Sequence, residues 1–462
     1  MNSLVEKYVV DENEKISSAL NKISQNKSGI VFVTNKEKKL IGAFSDGDYR
    51  SGVLENSKTI NIKKNLVSEF MNNSPRYVFE NDKTSREALL NFFNSGLSII
   101  PVLDSNHRIT NIKDIKNAFK GIPVIERVIS RAPLRCSLAG GGTDLYEFYK
   151  DHGGAIISFS ISKYVHCLIE DNGCGIELCL KDIDLDLCIN DKSEIKKYIK
   201  EYPKSELVLR VIDKYLKENN IKITVWSDVK VGTGLAASTS LVVSLINGLD
   251  RRYSVQRSRK LLAQEAFELE RLHLNQDGGW QDQYLASYGG LNFIEFSEGK
   301  GNSVRKIHLN KAQEGILESC LMLVNTNMSH NSKNQQKKLI KSFSDDEKVN
   351  TLKTMVKRSK TLYQHLSEGS IDNLGSMLHK NWMLKKSTSD AISNKEIDKI
   401  YKNLTDFGAV GGKLLGSGSG GYFIVYVNLK DVYKFKILCE QNNYEISDIK
   451  FDKNGACAWE IS

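Results

Sequence analysis

The chain has 462 residues and a formal net charge of +9, and its length predicts roughly two to four domains. Its composition, with 40% hydrophobic and 26% charged residues, is ordinary for a globular protein. Acids are interspersed with the bases and no basic arm stands out, so the charge does not indicate a nucleic-acid partner. No apolar run approaches the roughly 20 residues that a membrane-spanning helix needs.

The eight cysteines are scattered, and none of them forms a CxxC pair. The first residues also lack the apolar segment of a secretory signal. These features predict a cytoplasmic protein with reduced thiols and argue against a structural zinc site.

Residues 1–124 repeat themselves with an offset of 69 residues. The matching segments are Lys7–Val9 with Arg76–Val78, Ala19–Leu20 with Ala88–Leu89, and Ile30–Val33 with Ile99–Val102. Each copy is predicted to run helix, strand, turn, strand, helix. The predicted strands are 29–34 and 40–44 in the first copy and 98–103 and 108–112 in the second, and the second copy's helix is centred on 88–93.

The first copy closes with Gly42–Asp48, Gly-Ala-Phe-Ser-Asp-Gly-Asp. With the repeat, this segment resembles a pair of CBS domains, a tandem module that often binds adenine nucleotides. The resemblance implies that Ser45 and Asp48 contact ribose and phosphate. The second copy offers only the shorter Thr110–Asp114, so we expect at most one ligand site. The alternative is that the pair serves only dimerisation or docking, since fold does not imply function.

A glycine and a proline interrupt the chain at Lys120–Pro123, and we place a domain boundary there. The next segment, Arg131–Asp144, contains three consecutive glycines followed by Asp144. Arg135 offers a permanent positive charge with a bidentate fork, and Asp144 is placed to accept hydrogen bonds from hydroxyls. Taken alone, the segment also fits an ordinary glycine turn with a surface Arg and Asp.

A second motif lies in Asp228–Ser240, between an alternating strand pattern at Ile221–Trp226 and a helical pattern that begins near Leu241. Its glycines allow close approach to a ligand, and we expect the hydroxyls of residues 238–240 to cap the helix. Free N–H groups at such a helix start favour phosphate. A capped helix after a glycine turn is the alternative.

A third motif spans Glu265–Asn292. Glu265, Glu268 and Glu270 lie on a predicted helix, and Asp282 stands outside any run of charges, between two glutamines. Such an acid is either a helix cap or a catalytic group. The fourth motif, Gly411–Gly421, has six glycines in eleven residues, which suggests close packing against another loop or a phosphate.

These four motifs, in this order, resemble the GHMP kinases, and within that superfamily the bacterial D-glycero-D-manno-heptose 7-phosphate kinase type. The resemblance covers residues 125–462. Its carrying segments are Ala139–Asp144, Gly232–Leu235, Gln281–Tyr284, Leu378–Trp382 with Lys385–Ser387, and Gly412–Gly416. It implies an α+β fold class: a tandem CBS module of βαβ type (1–122) and a two-lobed GHMP kinase fold (123–462). The expected lobes are an ATP-binding lobe at 123–310 and a C-terminal lobe at 311–462.

The resemblance also implies roles for individual residues. Asp282 is the catalytic acid that orients or deprotonates the accepting hydroxyl, and Arg135 neutralises charge beside it. ATP phosphates lie on Val231, Gly232, Thr233, Gly234, Leu235, Ala236, Ala237, Ser238 and Thr239. Ser238 and Glu270 hold Mg²⁺, and Glu268 is the less favoured substitute for Glu270. The acceptor contacts Gly141, Gly142, Thr143, Asp144, Lys385 and Lys386; for the lysine pair, a solvated helix face is the alternative.

Four positions depart from the family pattern. Val231 replaces the usual proline, and Ala236 and Ala237 replace a glycine and a serine. His330 stands where heptose kinases usually carry Arg, which weakens the case for a 7-phosphate.

The expected function is an ATP- and Mg²⁺-dependent kinase for the anomeric hydroxyl of a heptose 7-phosphate or related sugar, serving nucleotide-sugar and polysaccharide synthesis. We expect a cytoplasmic homodimer with an adenine nucleotide at the CBS pair and no nucleic-acid or membrane partner. The alternatives are a kinase for a plain sugar such as fucose and a nucleotide sensor with weakened kinase activity.

Overall fold

A computed structural model of the protein describes residues 3–26, 28–49, 61–80, 99–114, 127–172, 175–230, 232–273, 277–299, 301–328 and 332–461. The chain divides into two compact units, Met1–Pro123 with Ser254–Gln256, and Val124–Tyr253 with Arg257–Ser462. The expected linker at 120–123 lies outside the described residues.

The first unit contains two three-stranded sheets of the same topology. In each sheet the middle strand is parallel to the first and antiparallel to the third. The strands are β1 (Val9–Asp11), β2 (Ile30–Thr34) and β3 (Leu40–Ser45), then β4 (Val78–Phe79), β5 (Ile99–Leu103) and β6 (Ile109–Asp114). Its helices include α1 (Ser3–Glu6) and α2 (Ile16–Asn26), residues 46–49 are also helical, and a 3-10 turn lies at Val67–Glu69.

The register confirms the predicted repeat. Ile30 pairs with Ser45 in the first sheet and Ile99 with Asp114 in the second, which is the same pairing displaced by 69 residues. Both sheets also have an irregularity at the equivalent position of the middle strand. Helix α2 is confirmed as amphipathic, because it buries Ile16, Ala19 and Ile23. The helix predicted at 88–93 lies outside the described residues.

The second unit is built on an eight-stranded sheet and a four-stranded sheet. Its strands are β7 (Arg127–Ala139), β8 (Gly154–Asp171), β9 (Ile176–Leu180), β10 (Leu185–Ile189), β11 (Ile221–Ser227), β12 (Leu291–Phe296), β13 (Ser303–Lys306), β14 (Leu321–Asn325), β15 (Ala409–Leu414), β16 (Tyr422–Val427), β17 (Ile446–Asp448) and β18 (Cys457–Glu460). The larger sheet has the order β10-β9-β11-β8-β12-β13, with β7 also pairing with β8, and β18 with β7. The smaller sheet has the order β15-β16-β14-β17.

The helices of the second unit cover these sheets. They are α3 (Tyr146–His152), α4 (Ile195–Glu201), α5 (Glu206–Tyr215), α6 (Ala237–Arg252), α7 (Arg259–Phe267), α8 (Gln281–Tyr288), α9 (Lys311–Cys320), α10 (Ser332–Lys341), α11 (Asp346–Ser367), α12 (Leu374–Thr388), α13 (Lys395–Asp406) and α14 (Val432–Gln441). A π-helical turn, Glu268–His273, follows α7, and short 3-10 turns lie at Lys181–Ile183, Lys192–Glu194, Pro203–Ser205, Ser342–Ser344 and Leu429–Asp431.

One strand pairing crosses the expected lobe boundary at residue 311. Strand β18, at the end of the chain, pairs antiparallel with β7 and so joins the larger sheet. Its pairing partner is the strand that carries the first motif, so the chain's end returns to the first lobe. Sequence order does not show this, because strand pairing is set by contacts far apart along the chain.

Helix α6 lies in the centre of the second unit. It packs against β7 and β8, and Val242, Val243, Leu245 and Ile246 are fully buried. A helix buried on most sides is held rigidly, since burying each large apolar side chain stabilises the fold by about 1.5–3 kcal/mol. The start of α6 is therefore a fixed platform for the second motif.

Within the described residues, no helix is long and apolar enough to cross a membrane. All seven cysteines in the described part of the chain are free.

Candidate active site

The second unit contains a cavity of about 620 Å³ at the start of α6. Its lining brings together residues of all four motifs, the fourth through Gly416 and Ser417, and Lys385 of α12. The residues singled out from the sequence that line it are Arg135, Gly141, Gly142, Asp144, Gly232, Thr233, Gly234, Ala236, Ala237, Ser238, Thr239, Glu270, Asp282 and Lys385.

The second motif forms the predicted strand, turn and helix, because β11 ends at Ser227 and α6 begins at Ala237. The predicted hydroxyl cap is wrong. The residue at the N-cap position is Ala236, which has no side-chain cap. The Thr239 hydroxyl donates to Glu270 and the Ser240 hydroxyl donates to the Pro133 carbonyl, so both are engaged inside the first turn.

Ala236 has a left-handed backbone, with φ 68° and ψ 33°. This conformation costs an L-residue about 1–2 kcal/mol and is normally assigned to glycine. It is the position at which the chain departs from the family's usual glycine. The loop therefore keeps its turn at the expense of local strain.

Arg135 and Asp282 form an ion pair across the cavity floor, with Nε 2.7 Å from Oδ1. Arg135 also donates from Nη1 to the Gly234 carbonyl at 2.6 Å, which ties the pair to the second motif. Burial raises the pKa of Asp282, but Arg135, the charge of Arg271 and the hydrogen bond from Gln281 together outweigh burial, so the pKa falls below its ordinary value. Asp282 therefore carries a negative charge at neutral pH. It lies inside α8, whose N-cap is Trp280, so it is not the helix cap.

Asp144 lines the same cavity, but its pKa is shifted in the opposite direction from that of Asp282. Its carboxylate accepts hydrogen bonds from the backbone N–H groups of Gln281 and Gly142, both at 3.2 Å. Burial, followed by repulsion from Asp282, raises the pKa of Asp144. A Cβ at Gly279 would lie 1.9 Å from Oδ2 of Asp144, so only glycine fits beside this carboxylate.

Glu270 lies in the cavity wall, and hydrogen bonds hold both of its carboxylate oxygens in place. Thr239 donates to both oxygens at 2.9 and 3.0 Å, and Gln283 donates to one at 2.6 Å. Burial raises the pKa of Glu270. Glu268, the alternative, is exposed.

The residues present fit a magnesium ion that is completed by phosphate. In the described parts of the chain, no three His, Cys, Asp or Glu side chains are grouped to hold a metal. Mg²⁺ in phosphate-transfer sites, however, is commonly bound by one or two carboxylates together with substrate phosphates and water. Glu270 and the Ser238 hydroxyl line the same cavity and provide such a partial donor set.

The two adjacent lysines of α12 have different environments. Lys385 is 5% exposed and donates to the Gly416 carbonyl at 2.6 Å. Burial, and then the charge of Arg135, lower its pKa to about 8. Lys386 lies outside the cavity and pairs with Asp398, because neighbouring helix residues point in directions about 100° apart. The structure thus brings only one of the two predicted lysines to the site.

The fourth motif packs against the second, as its glycine content suggested. A Cβ at Gly416 would lie 2.7 Å from the Cα atom of Gly234, and one at Gly421 would lie 2.4 Å from the Thr233 carbonyl oxygen. Lys413 is 2% exposed and donates from Nζ to the hydroxyl and carbonyl oxygens of Ser137, at 2.5 and 3.1 Å.

Other expected site residues lie elsewhere. Leu235 is buried in the core, and the Thr143 hydroxyl is buried with the Gly140 and Ala155 carbonyls as partners. Val231 and His330 lie outside the described residues.

In the first unit, Ser45 and Asp48 bind each other. The Ser45 hydroxyl donates to Asp48 Oδ2 at 2.7 Å, and the Asp48 N–H donates to Ser45 Oγ at 3.2 Å. This reciprocal pair is a capping box for helical residues 46–49. Both side chains therefore have hydrogen-bond partners within the protein.

Several cavity residues were missed from the sequence, namely Ser137, Arg271, Asp277, Gln281, Gln335, Gln336 and Ser417. Four of them carry buried polar atoms without a partner among the described residues: Arg271 Nε, Gln281 Oε1, Gln335 Oε1 and Ser417 Oγ. Gln281 stands next to Asp282 in the motif and was open to prediction. Gln335 and Gln336 lie on α10 in a lysine-rich stretch without a recognisable pattern.

Family models agree with this arrangement. The model of the GHMP kinases N-terminal domain matches residues 201–290, and that of the GHMP kinases C-terminal domain matches residues 362–436. The first range holds the second motif and Asp282, and the second holds Lys385 and the fourth motif.

Among curated proteins, a D-glycero-alpha-D-manno-heptose 7-phosphate kinase of Campylobacter jejuni is 28% identical, over 73% of this chain and 100% of that protein. An L-fucokinase/L-fucose-1-P guanylyltransferase of Bacteroides fragilis is 23% identical, over 66% of this chain and 35% of that protein. A solved D-glycero-D-manno-heptose 1-phosphate kinase from Bacteroides thetaiotaomicron is 25% identical with a TM-score of 0.58, over 72% of this chain and 99% of that one.

The order of the motifs, the cavity they share and the two matching family models all lead to one assignment. The chain is an ATP-dependent phosphotransferase, and it is similar to the GHMP kinases over the two segments that their family models match.

Proposed function

We propose that the protein is a sugar kinase that transfers the γ-phosphoryl group of ATP to the anomeric hydroxyl of a heptose 7-phosphate or a related sugar. The observation that carries the proposal is the Arg135–Asp282 pair at 2.7 Å, in one cavity with the second motif and Asp144. Similarity to a named heptose 7-phosphate kinase over 73% of the chain supports the acceptor class. The product would serve nucleotide-sugar and polysaccharide synthesis.

Phosphoryl transfer depends on positioning and on neutralising charge more than on covalent chemistry. In the proposed mechanism the loop from Gly232 to Thr239 holds the ATP phosphates. Asp282, kept ionised by Arg135, accepts the proton of the attacking hydroxyl or orients that hydroxyl. Asp144 accepts hydrogen bonds from other sugar hydroxyls, and Lys385 supplies positive charge to the anionic substrates.

Magnesium is the proposed cofactor, with Ser238 and Glu270 as its protein ligands. When bound, the ion neutralises phosphate charge as the bond to the leaving oxygen breaks. Its charge would also favour the ionised form of Glu270, in opposition to burial.

A kinase for a plain sugar such as fucose is the second candidate. It is favoured by relatives from Arabidopsis thaliana and Bacteroides fragilis whose names include fucokinase. A sensor with weakened kinase activity finds less support, because Arg135 and Asp282 keep a paired, ionised arrangement in the cavity.

For the first unit we propose a CBS pair that binds an adenine nucleotide at Ser45 and Asp48 and regulates the kinase. The two sheets of equal topology and register support a tandem module. A nucleotide would replace the mutual hydrogen bonds of these two residues. We further propose a cytoplasmic homodimer, because CBS pairs commonly assemble face to face; light scattering of the purified chain tests the dimer.

The test is ATP consumption by the purified full-length protein against a panel of sugars, with and without a 7-phosphate, and with and without AMP. Turnover with the heptose 7-phosphate supports the first candidate, and turnover with a plain sugar alone supports the second. No turnover with any heptose or hexose would refute both. A change in rate on adding AMP supports regulation by the first unit; an unchanged rate supports assembly alone.

A further inference from the structure

The cavity contains one cation that was not among the predicted site residues, Arg271. It follows Glu270 in the π-helical turn Glu268–His273, and both residues line the cavity. Such turns are rare and occur frequently at functional sites, because the wider turn changes which side chains face one direction. Here the turn brings a carboxylate and a guanidinium, consecutive in sequence, to the same space.

The guanidinium of Arg271 is held by neutral groups. Nη1 donates to the Asp277 carbonyl at 3.2 Å and Nη2 to the Gly279 carbonyl at 3.5 Å. The group lies across Gly278, where a Cβ would be 2.5 Å from Cζ. Its Nε is buried without a partner among the described residues. Carbonyl groups orient the guanidinium, and its positive charge also acts to lower the pKa values of the Glu270 and Asp282 carboxylates.

Within the described chain, no carboxylate oxygen lies within 4.0 Å of Arg271 in an ion pair. The neighbouring residues 274–276 are Leu, Asn and Gln, so they contain no acid. Arg135, in contrast, is paired with Asp282. Arg271 is thus an oriented guanidinium in the cavity wall whose charge is available to an anion.

Arg271 belongs to the acceptor side of the cavity. Its anchor Gly279 lies directly against Asp144, the group proposed to hold sugar hydroxyls. Lys385 binds the carbonyl of Gly416, which packs on Gly234 of the proposed phosphate loop, and its charge also interacts with Asp144. The two cations therefore reach the cavity from different elements, Arg271 from the π-helical turn and Lys385 from α12.

Resting on the kinase function proposed above, we propose that Arg271 binds a phosphate monoester that the acceptor sugar carries away from the hydroxyl that is phosphorylated. A planar guanidinium with donors in a fixed fork matches phosphate geometry bidentately. Arg271 is then a specificity-determining residue, and it makes the enzyme select phosphorylated sugars over plain ones.

The experiment measures KM and kcat of the full-length protein for D-glycero-D-manno-heptose 7-phosphate, for the unphosphorylated heptose and for ATP. The variants are Arg271→Met, Arg271→Lys and a matched control, Arg305→Met. Arg305 is an exposed arginine on the outer strand β13, and it pairs with Glu295. We expect Arg271→Met to raise KM for the phosphorylated sugar roughly 10- to 100-fold, the usual effect of losing a charged hydrogen bond. KM for the plain sugar and for ATP should change less than about threefold in that variant. Arg271→Lys, which keeps the charge but loses the fork, should fall between wild type and Arg271→Met.

Three results would overturn the inference. One is an equal loss for both sugars, and another is a loss confined to ATP, which would place the transferred phosphoryl group on Arg271. The third is a wild type that uses only plain sugars. Each of these leaves a sugar kinase standing, whereas absence of turnover in the wild type refutes the proposed function itself. Thermal unfolding of each variant shows that it is folded, and Arg271→Lys keeps the test open if Arg271→Met is not.

Discussion

Replacing Ala236 by glycine should stabilise the protein, although alanine-to-glycine changes usually do the opposite. Ala236 occupies the left-handed region, with φ 68°, at the N-cap position of α6. Relief of that backbone conformation contributes about 1–2 kcal/mol. Glycine is also preferred over alanine at an N-cap, by roughly 0.5 kcal/mol. Against this, glycine adds about 0.4–1 kcal/mol of unfolded-state entropy.

The sum is a net stabilisation of about 1 kcal/mol, which corresponds to a rise in Tm of about 2 °C for a unit of this size. The matched control is the same substitution one residue later, because Ala237 is the first residue of α6. Glycine there lowers helix propensity, so Ala237→Gly should destabilise by up to about 1 kcal/mol.

The assay is thermal unfolding of the full-length protein, followed by circular dichroism, for wild type and both variants. Opposite signs for the two neighbouring substitutions are the expected result. If Ala236→Gly unfolds at or below the temperature of the wild type, the left-handed backbone at this position is not what limits the stability of the loop. The strain argument would then be refuted.

Three further predictions concern the cavity. Asp282→Asn should lower kcat by about 10²–10⁴-fold with unchanged ATP binding by calorimetry, and surviving turnover would remove this residue from the chemistry. The Lys385 ammonium, with a pKa of about 8, loses its proton as pH rises, so kcat/KM should decline above pH 8. Lys385→Arg should move that decline to higher pH. Identical pH profiles for wild type and variant would contradict a role of the Lys385 charge in substrate binding. Gly279→Ala would place its Cβ 1.9 Å from Asp144 Oδ2 and should raise KM for the acceptor about tenfold. The control Gly299→Ala, with no atom within 4 Å of its Cβ, should leave KM unchanged. Equal effects of the two variants would refute a role of Asp144 in acceptor binding.

The first unit's repeat was predictable because similar local sequences form similar local structure. The pairing of Ile30 with Ser45 recurs as Ile99 with Asp114, in the copy displaced by 69 residues. The strand, turn and helix around Gly232 were predictable for the same reason, since alternation, glycine and helical spacing are local signals. The ordered motifs also indicated the superfamily.

Local signals failed where the outcome depended on contacts between distant residues. The N-cap residue is Ala236, and no side chain caps the helix. The hydroxyls of Thr239 and Ser240 instead donate hydrogen bonds to Glu270 and to the Pro133 carbonyl, on other elements. Lys385 was separated from Lys386 by which face of α12 is buried. Neither the N-cap nor the burial of Lys385 can be predicted from the few residues around each position.

The sequence by itself therefore determined the elements, the repeat and the set of motifs. Tertiary structure alone decided that Arg135 meets Asp282, 147 residues further along the chain, and that β18 returns to β7. It also decided that Arg271 faces the cavity without an ion-pair partner among the described residues. The physical reason is that backbone conformation follows from nearby residues, whereas the neighbours of a side chain follow from how the whole chain packs.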